Sequence, residues 1–341
     1  MDLQLRQRGR AAVDFMGYLS LAARPLWSAI DADIAAAGHA PANLPDDLDD
    51  RAGVIEAALA DSRAFRTHEL VSEWHARQHG HDATEAFEEV ARDGLLPQLP
   101  QGSAELTISP DFRAPEYWDG VDFHRTAGGW DGHEMAGYIH GEIIHRRMVD
   151  RVFPGGIFRQ RRAIAERPPR DHYDRIIDFG ASTGHFTLAL QDAYPQAEIW
   201  GVDLSARALE HARRVADAHG HGWKLFQRAA EDTGFAAGSF DLAASYILLH
   251  EMPERAIRAL FAEAFRLLRP GGDMIMSDVT RFADIDRLSA WKADHGARFG
   301  GEPYWRESAS LDLAQVARDA GFEDVEASGL YPHVVQGRKP Q

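Results

Sequence analysis

The chain has 341 residues, 45% of them hydrophobic, a formal net charge of −16 and no cysteine. That length suggests about two domains, each able to bury an ordinary core. The missing cysteines exclude disulfides, thiolate metal sites and a cysteine nucleophile, and the acidic balance argues against nucleic-acid binding, which needs a basic face. At the N-terminus, Met1-Asp2-Leu3-Gln4-Leu5-Arg6 lacks the apolar core of a signal peptide. No later run is long enough to span a bilayer, so a cytoplasmic protein without membrane attachment is expected.

Residues 1 to about 38 are expected to be helical, because Phe15, Leu19, Ala22, Leu26 and Ile30 recur at steps of three or four. Pro25 marks a kink or split in that helix. Gly38 to Asp50 is a connector rich in turn residues. Residues 51–78 are helical again, with Phe65, Val71 and Trp74 as expected core. Asp82 followed by Glu85 has the form of a capping box, opening a new helix that carries Phe87, Val90 and Ala91 and stops near Gly94. Leu95-Leu96-Pro97 then leads through a Pro/Gly turn to a short strand, Glu105 to Ile108. Residues 1–110 are therefore expected to form a mostly helical N-terminal domain.

Residues 111–150 form an expected lid and linker, with Tyr117, Trp118, Trp130 and Tyr138 set among Gly120, Gly128, Gly129, Gly132 and Gly137. Aromatics among glycines make a poor core and a good flexible cover for a pocket. Trp130 and Tyr138 are the candidate substrate contacts there. The same stretch carries His124, His133, His140 and His145. The order His140-Gly141-Glu142-Ile143-Ile144-His145 is not the helical His-Glu-x-x-His pattern, and five-residue spacing places the two histidines far apart around an α-helix. No metal site is expected.

The most informative stretch is Ile176 to Phe186. An apolar run ends at Asp178, and Gly180-Ala181-Ser182-Thr183-Gly184 leads into a helical pattern, as when a parallel strand hands over to a helix. A second run from Ala197 ends at Asp203, whose carboxylate can accept both hydroxyl hydrogens of a ribose. A dinucleotide fingerprint needs small residues at relative positions one, three and six. Those positions hold Gly180, Ser182 and His185, and His185 is too large for close helix–strand packing. Downstream come a loop with Ala230, Glu231 and Asp232, and a strand from Asp241 to about His250 that includes Tyr246. A helix from Glu254 to Leu268, the turn Arg269-Pro270-Gly271-Gly272 and a strand from Asp273 to Val279 follow, and a last helix and strand occupy Leu311 to Val325.

With its Asp-x-Gly-x-Ser-x-Gly turn, its second acid and its Arg-Pro-Gly-Gly break in this order, the chain resembles the class I S-adenosylmethionine-dependent methyltransferases over roughly residues 150–335. Ser182 stands where the family usually has glycine. The resemblance implies an α/β fold: a Rossmann-like sheet with helices on both faces over residues 151–341, preceded by the helical domain, with a pocket insert at about 281–307. It implies S-adenosylmethionine as cofactor, S-adenosylhomocysteine as product, and Asp178, Gly180, Ser182, Gly184, Asp203, Leu204, Ala230 and Tyr246 around them, with Glu231 or Asp232 at the adenine. The N-terminal pattern of helices and a short strand also resembles the winged-helix segment of dimeric small-molecule O-methyltransferases. That implies a homodimer with the segment closing over a small-molecule substrate; a private helical cap is the alternative.

His250 lies at the carboxyl end of a predicted strand, where open parallel sheets keep their ligand crevice. Leu248 to Glu254 resembles the stretch in which O-methyltransferases carry a general base, so His250 is the candidate base and Glu251 its candidate orienting partner. A histidine that only caps the strand and touches cofactor is the alternative. Asp278, Trp291 and Tyr304 complete the candidate substrate wall. The expected activity is methyl transfer to a small molecule, at oxygen first. Carbon or nitrogen methylation, non-methylating chemistry on the same fold, and a non-catalytic partner protein stay open.

Overall fold

The computed structural model describes residues 3–95, 102–153 and 155–341. Met1 and Asp2, and the turn expected from Leu96 and Pro97, lie outside these residues. Its centre is an eight-stranded sheet with the order β1-β4-β3-β2-β5-β6-β8-β7. The strands are β1 (Glu105–Thr107), β2 (Arg175–Phe179), β3 (Glu198–Asp203), β4 (Lys224–Gln227), β5 (Phe240–Tyr246), β6 (Leu268–Asp278), β7 (Glu323–Ser328) and β8 (His333–Arg338). Strands β1 to β6 pair in parallel, β8 runs antiparallel to β6, and β7 antiparallel to β8. From β2 the chain winds outward through β3 to β4, then returns to β5 on the other side of β2. That reversal is the switch point at which open α/β sheets hold their ligands.

The sheet is buried on both faces, which is why its central strands read as unbroken apolar runs instead of alternating ones. Ile177 and Phe179 face a layer formed by α9 (Glu254–Leu267) and α12 (Leu313–Asp319). Ile176 faces the opposite layer of α6 (Ile157–Ala165), α7 (His185–Ala193) and α8 (Ala206–His219). Helix α9 buries Ala256, Ile257, Leu260, Phe261, Ala264 and Leu267, a stripe at helical spacing. The architecture of a Rossmann-like sheet behind a helical N-terminal region agrees with the expectation.

The N-terminal region is built on two long helices, α1 (Gln7–Ala36) and α3 (Arg63–Arg92), with α2 (Leu48–Ala58) between them. Val13 and Met16 of α1 pack on Ala83, Ala86, Phe87 and Val90 of α3. Gly9 is part of that contact, since a Cβ there would lie 2.8 Å from the Ala86 side chain. Four expectations need correction here. Helix α1 runs unbroken through Pro25. Its buried apolar side chains are Val13, Met16, Ile30 and Ile34, and on α3 Phe65 is buried as expected whereas Trp74, expected in the core, is 44% exposed and meets the exposed Phe15 edge-on. The helix break falls at Ser62, whose hydroxyl caps α3 by accepting from Phe65 N–H. Asp82 caps nothing; it accepts from Gln78 one turn earlier inside α3. Finally, β1 belongs to no wing: it extends the main sheet by pairing with β4. Among the described residues no helix is long and apolar enough to cross a membrane.

Between α3 and α6 the chain passes through two short 3-10 turns, Phe123–Arg125 and Gly129–Asp131, then α4 (Ala136–Tyr138), a π-helix (Ile139–Val149) and α5 (Asp150–Val152). The π-helix buries Ile139, Ile143 and Met148 against α1 and α3. The insert after β6 forms α10 (Arg287–Gly300) and α11 (Trp305–Ser310).

Candidate active site

The turn after β2 is shaped by backbone that only small residues adopt cheaply. Gly180 and Gly184 have φ of 69° and 79°, and Ser182 is also left-handed at 47°. A Cβ on Gly180 would come within 2.9 Å of Leu248, and one on Gly184 within 3.0 Å of Ala212 on α8. The two acids hold this turn from below. Asp203, at the tip of β3, accepts Ser182 N–H at 2.9 Å and Ser205 N–H at 2.8 Å. Asp178 is fully buried and accepts the Thr187 hydroxyl at 2.6 Å; its other oxygen has no hydrogen-bond partner among the described residues. Burial raises both carboxyls to about 7, against the hydrogen bonds they accept.

Over the switch point lies a cavity of about 460 Å³, a size typical of small-molecule sites. Gly180, Ser182, Asp203, Leu204, Ala230, Glu231 and Tyr246 line it, as do His250, Glu251 and Trp130. Glu231 is the acid that reaches the cavity, accepting the Tyr117 hydroxyl at 2.7 Å, whereas Asp232 is exposed outside it. Gly184 packs behind the turn.

His250 sits in a short 3-10 turn after β5 and is 3% exposed. Its Nδ1 lies 3.0 Å from Asp278 Oδ1. Asp278 is itself fixed by the N–H groups of Leu249 (2.6 Å) and Val279 (2.8 Å). The other ring nitrogen, Nε2, lies 3.9 Å from Glu302 Oε2. Burial alone would lower the imidazole's pKa, but Asp278, then Glu302 and Glu251, raise it to about 9. The expected orienting role of Glu251 is corrected. Glu251 instead accepts Trp130 Nε1–H at 3.2 Å and lies 3.3 Å from His124 Nε2. The orienting carboxylate is Asp278, expected as a substrate contact; it lies behind the imidazole and off the cavity wall.

The cap supplies the facing wall. His124 is held in a left-handed conformation, φ 54°, with its N–H donating to Gly301 of the insert. Its Nδ1 is 2.6 Å from Glu302 Oε1. Despite burial, Glu302 and Glu251 keep its pKa well above the ordinary histidine value. His140 and His145 are not far apart: a π-helix advances more residues per turn than an α-helix, so positions five apart share one face and the two Nε2 atoms lie 3.0 Å from each other. Burial, then neighbouring cations, hold both rings well below the ordinary value, hence neutral.

Two more expected substrate contacts lie elsewhere. Tyr138 is buried in the N-terminal core beside Phe87 and His211. Trp291 is buried among α1, α2 and α3 with Ile30 and Phe65. Tyr304 stands behind the wall, its hydroxyl donating to Tyr117 O at 3.0 Å. In their place the cavity gains Arg161, Glu302, Trp305 and Tyr331. Glu302 follows a Gly-Gly pair within the insert already suspected of walling the pocket; for Arg161 and Tyr331 the sequence carries no local signal.

Residues 176–272 match the model of a methyltransferase domain family. A malonyl-acyl-carrier-protein O-methyltransferase of Hahella chejuensis is 29% identical over 180 residues, 49% of this chain and 63% of that protein. An arsenite methyltransferase of Aquipseudomonas alcaligenes is 30% identical over 165 residues, 44% of each. The chain thus spans between about two fifths and two thirds of the length of these two relatives. Among solved structures, phosphoethanolamine N-methyltransferase 2 of Haemonchus contortus in complex with S-adenosyl-L-methionine superposes with a TM-score of 0.50 at 18% identity, covering 67% of this chain and 61% of that one. At that identity the likeness is one of fold. Strand order, glycine turn and domain match agree, and the chain carries a domain of the class I S-adenosylmethionine-dependent methyltransferase family.

Proposed function

We propose that the chain transfers a methyl group from S-adenosylmethionine to an oxygen of a small-molecule acceptor, with His250 as general base and S-adenosylhomocysteine as second product. The observation that carries this reading is the His250–Asp278 pair at the switch point, with His250 in the cavity lining and its second nitrogen 3.9 Å from Glu302 of the same lining. The chain's residues fit the cofactor. Gly180 lines the cavity in a left-handed conformation that favours glycine, and a Cβ there would press on the Leu248 side chain. Asp203 lines the cavity and is placed for ribose hydroxyls, whereas Asp178, one oxygen of which has no hydrogen-bond partner among the described residues, lies beneath the turn and off the cavity lining. When bound, S-adenosylmethionine supplies an activated methyl on a cationic sulfur, whose charge opposes a second cation in the cavity.

With its pKa raised to about 9, His250 carries protons on both nitrogens at neutral pH and acts as base in the form that has lost the Nε2 proton: Nδ1–H stays donated to Asp278 while Nε2 takes the acceptor's proton. Asp278 fixes ring and tautomer. Trp130 and Trp305 line the acceptor side and exclude water. The relatives include O-methyl and arsenite transferases, so the choice of oxygen rests on the base alone. The test is His250→Ala, assayed for S-adenosylhomocysteine release with candidate hydroxyl acceptors and for cofactor affinity by calorimetry. Turnover should fall ~10²–10⁴-fold with affinity nearly unchanged. Loss of affinity with turnover intact would remove His250 from the chemistry.

A further inference from the structure

Behind the cavity wall three side chains from three elements converge: Glu142 of the π-helix, His185 at the first position of α7 and His211 of α8. All are buried, Glu142 at 1%, His185 at 4% and His211 at 0% exposure. Their ligand atoms lie within 4.8 Å of one another. Glu142 Oε1 is 3.2 Å from His211 Nε2 and 3.7 Å from His185 Nε2. Ligands held tetrahedrally at zinc bond lengths of about 2.0–2.1 Å stand roughly 3.3 Å apart.

Hydrogen bonding leaves part of this arrangement unexplained. His185 Nε2 is buried with no hydrogen-bond partner among the described residues, although it points at a carboxylate oxygen. Its Nδ1 is paired with the Thr183 hydroxyl at 3.0 Å, the outer contact that metal-bound imidazoles usually have. Arg146 Nε holds the outer carboxylate oxygen of Glu142 at 2.9 Å, leaving Oε1 for the inner position. The convergence depends on Gly141: a Cβ there would lie 2.8 Å from the His211 ring and 3.1 Å from His185.

We propose that Glu142, His185 and His211 bind one divalent transition-metal ion of the zinc class. The ion ties the cap's π-helix to the two helices that follow the cofactor-binding strands. Two neutral imidazoles and one carboxylate are a donor set zinc accepts. The role is structural, because the site lies off the cavity, and the proposal is independent of the methyl acceptor.

Protein stripped with a chelator and titrated with Zn²⁺ should take up one equivalent and melt several degrees higher. Glu142→Gln and His211→Gln should each lose both effects. The double variant His140→Gln/His145→Gln changes the other close histidine pair and should keep them. No uptake by the wild type, or no rise in melting temperature, overturns the proposal. So does loss of the ion in the double variant, which would place it in the cavity. Should the single variants fail to fold, the wild-type titration and the double variant decide the matter.

Discussion

Two walls of one cavity treat histidine in opposite ways. On the sheet side His250 leans on Asp278 and is raised to about 9. On the cap side His140 and His145 face each other without a carboxylate, and burial keeps them neutral. His250 is more buried than the half-buried His140 and His145, which by itself would favour its neutral form, so the neighbours decide the charge. The sheet wall is equipped to hold and move a proton; on the cap wall His124, beside Glu302 and Glu251, is held charged in the same way, while the His140–His145 pair offers neutral donors and acceptors.

The hardest way to break this contrast is to remove the carboxylate. Asp278→Asn should cut turnover ~10²-fold or more and move the ascending, acid limb of kcat/KM from about 9 toward the unperturbed histidine value of roughly 6.5; an unmoved limb would mean another group is titrating. Asp203→Asn should weaken S-adenosylmethionine binding by about 10-fold or more, the worth of hydrogen bonds to a charged group, read by calorimetry. Because Asp203 titrates at about 7, wild-type affinity should strengthen as pH rises through that value. Gly184→Ala, which forces a side chain into a left-handed position against α8, should cost about 1–3 kcal/mol in denaturant unfolding.

Stability against pH sharpens the comparison further. The raised pKa of His250 stabilises the fold fully below about 6.5, and this contribution disappears as pH climbs through about 9. The lowered pKa values of His140 and His145 act with the other sign: they cost stability as pH falls below the unfolded value. Melting curves of His250→Gln should therefore fall furthest below wild type under acid conditions, whereas His140→Gln/His145→Gln should gain on it there. The smallest effect is expected for His145→Gln at neutral pH, a change in kcat of under about tenfold.

The strands β2, β3, β5 and β6, the glycine turn and the place of His250 could be read directly from the chain. Each depends on local rules: an apolar run buried on both faces, a left-handed turn, a helix ended by Pro-Gly-Gly. The N-terminal stripe marked the helix and its buried Ile30, but not the rest of its packed face. Helical spacing shows that a helix exists, but several faces of α1 carry apolar residues, and packing against α3 chose Val13 and Met16 over Phe15.

By itself, then, the sequence determined the four central strands β2, β3, β5 and β6, the glycine turn and the acids beside it, because these follow from local patterns of residue type, while β4 and β8 were not foreseen. Only the tertiary structure decided which carboxylate serves His250, which wall Glu302 joins, and where β1 pairs. It also decided that His140 and His145 meet, since that depends on a π-helical winding imposed by packing on α1 and α3. Apart from that five-residue pair, whose winding is imposed from outside, these are encounters across tens to hundreds of residues. They are settled by how helices and strands are stacked, and no local pattern of residue types encodes them.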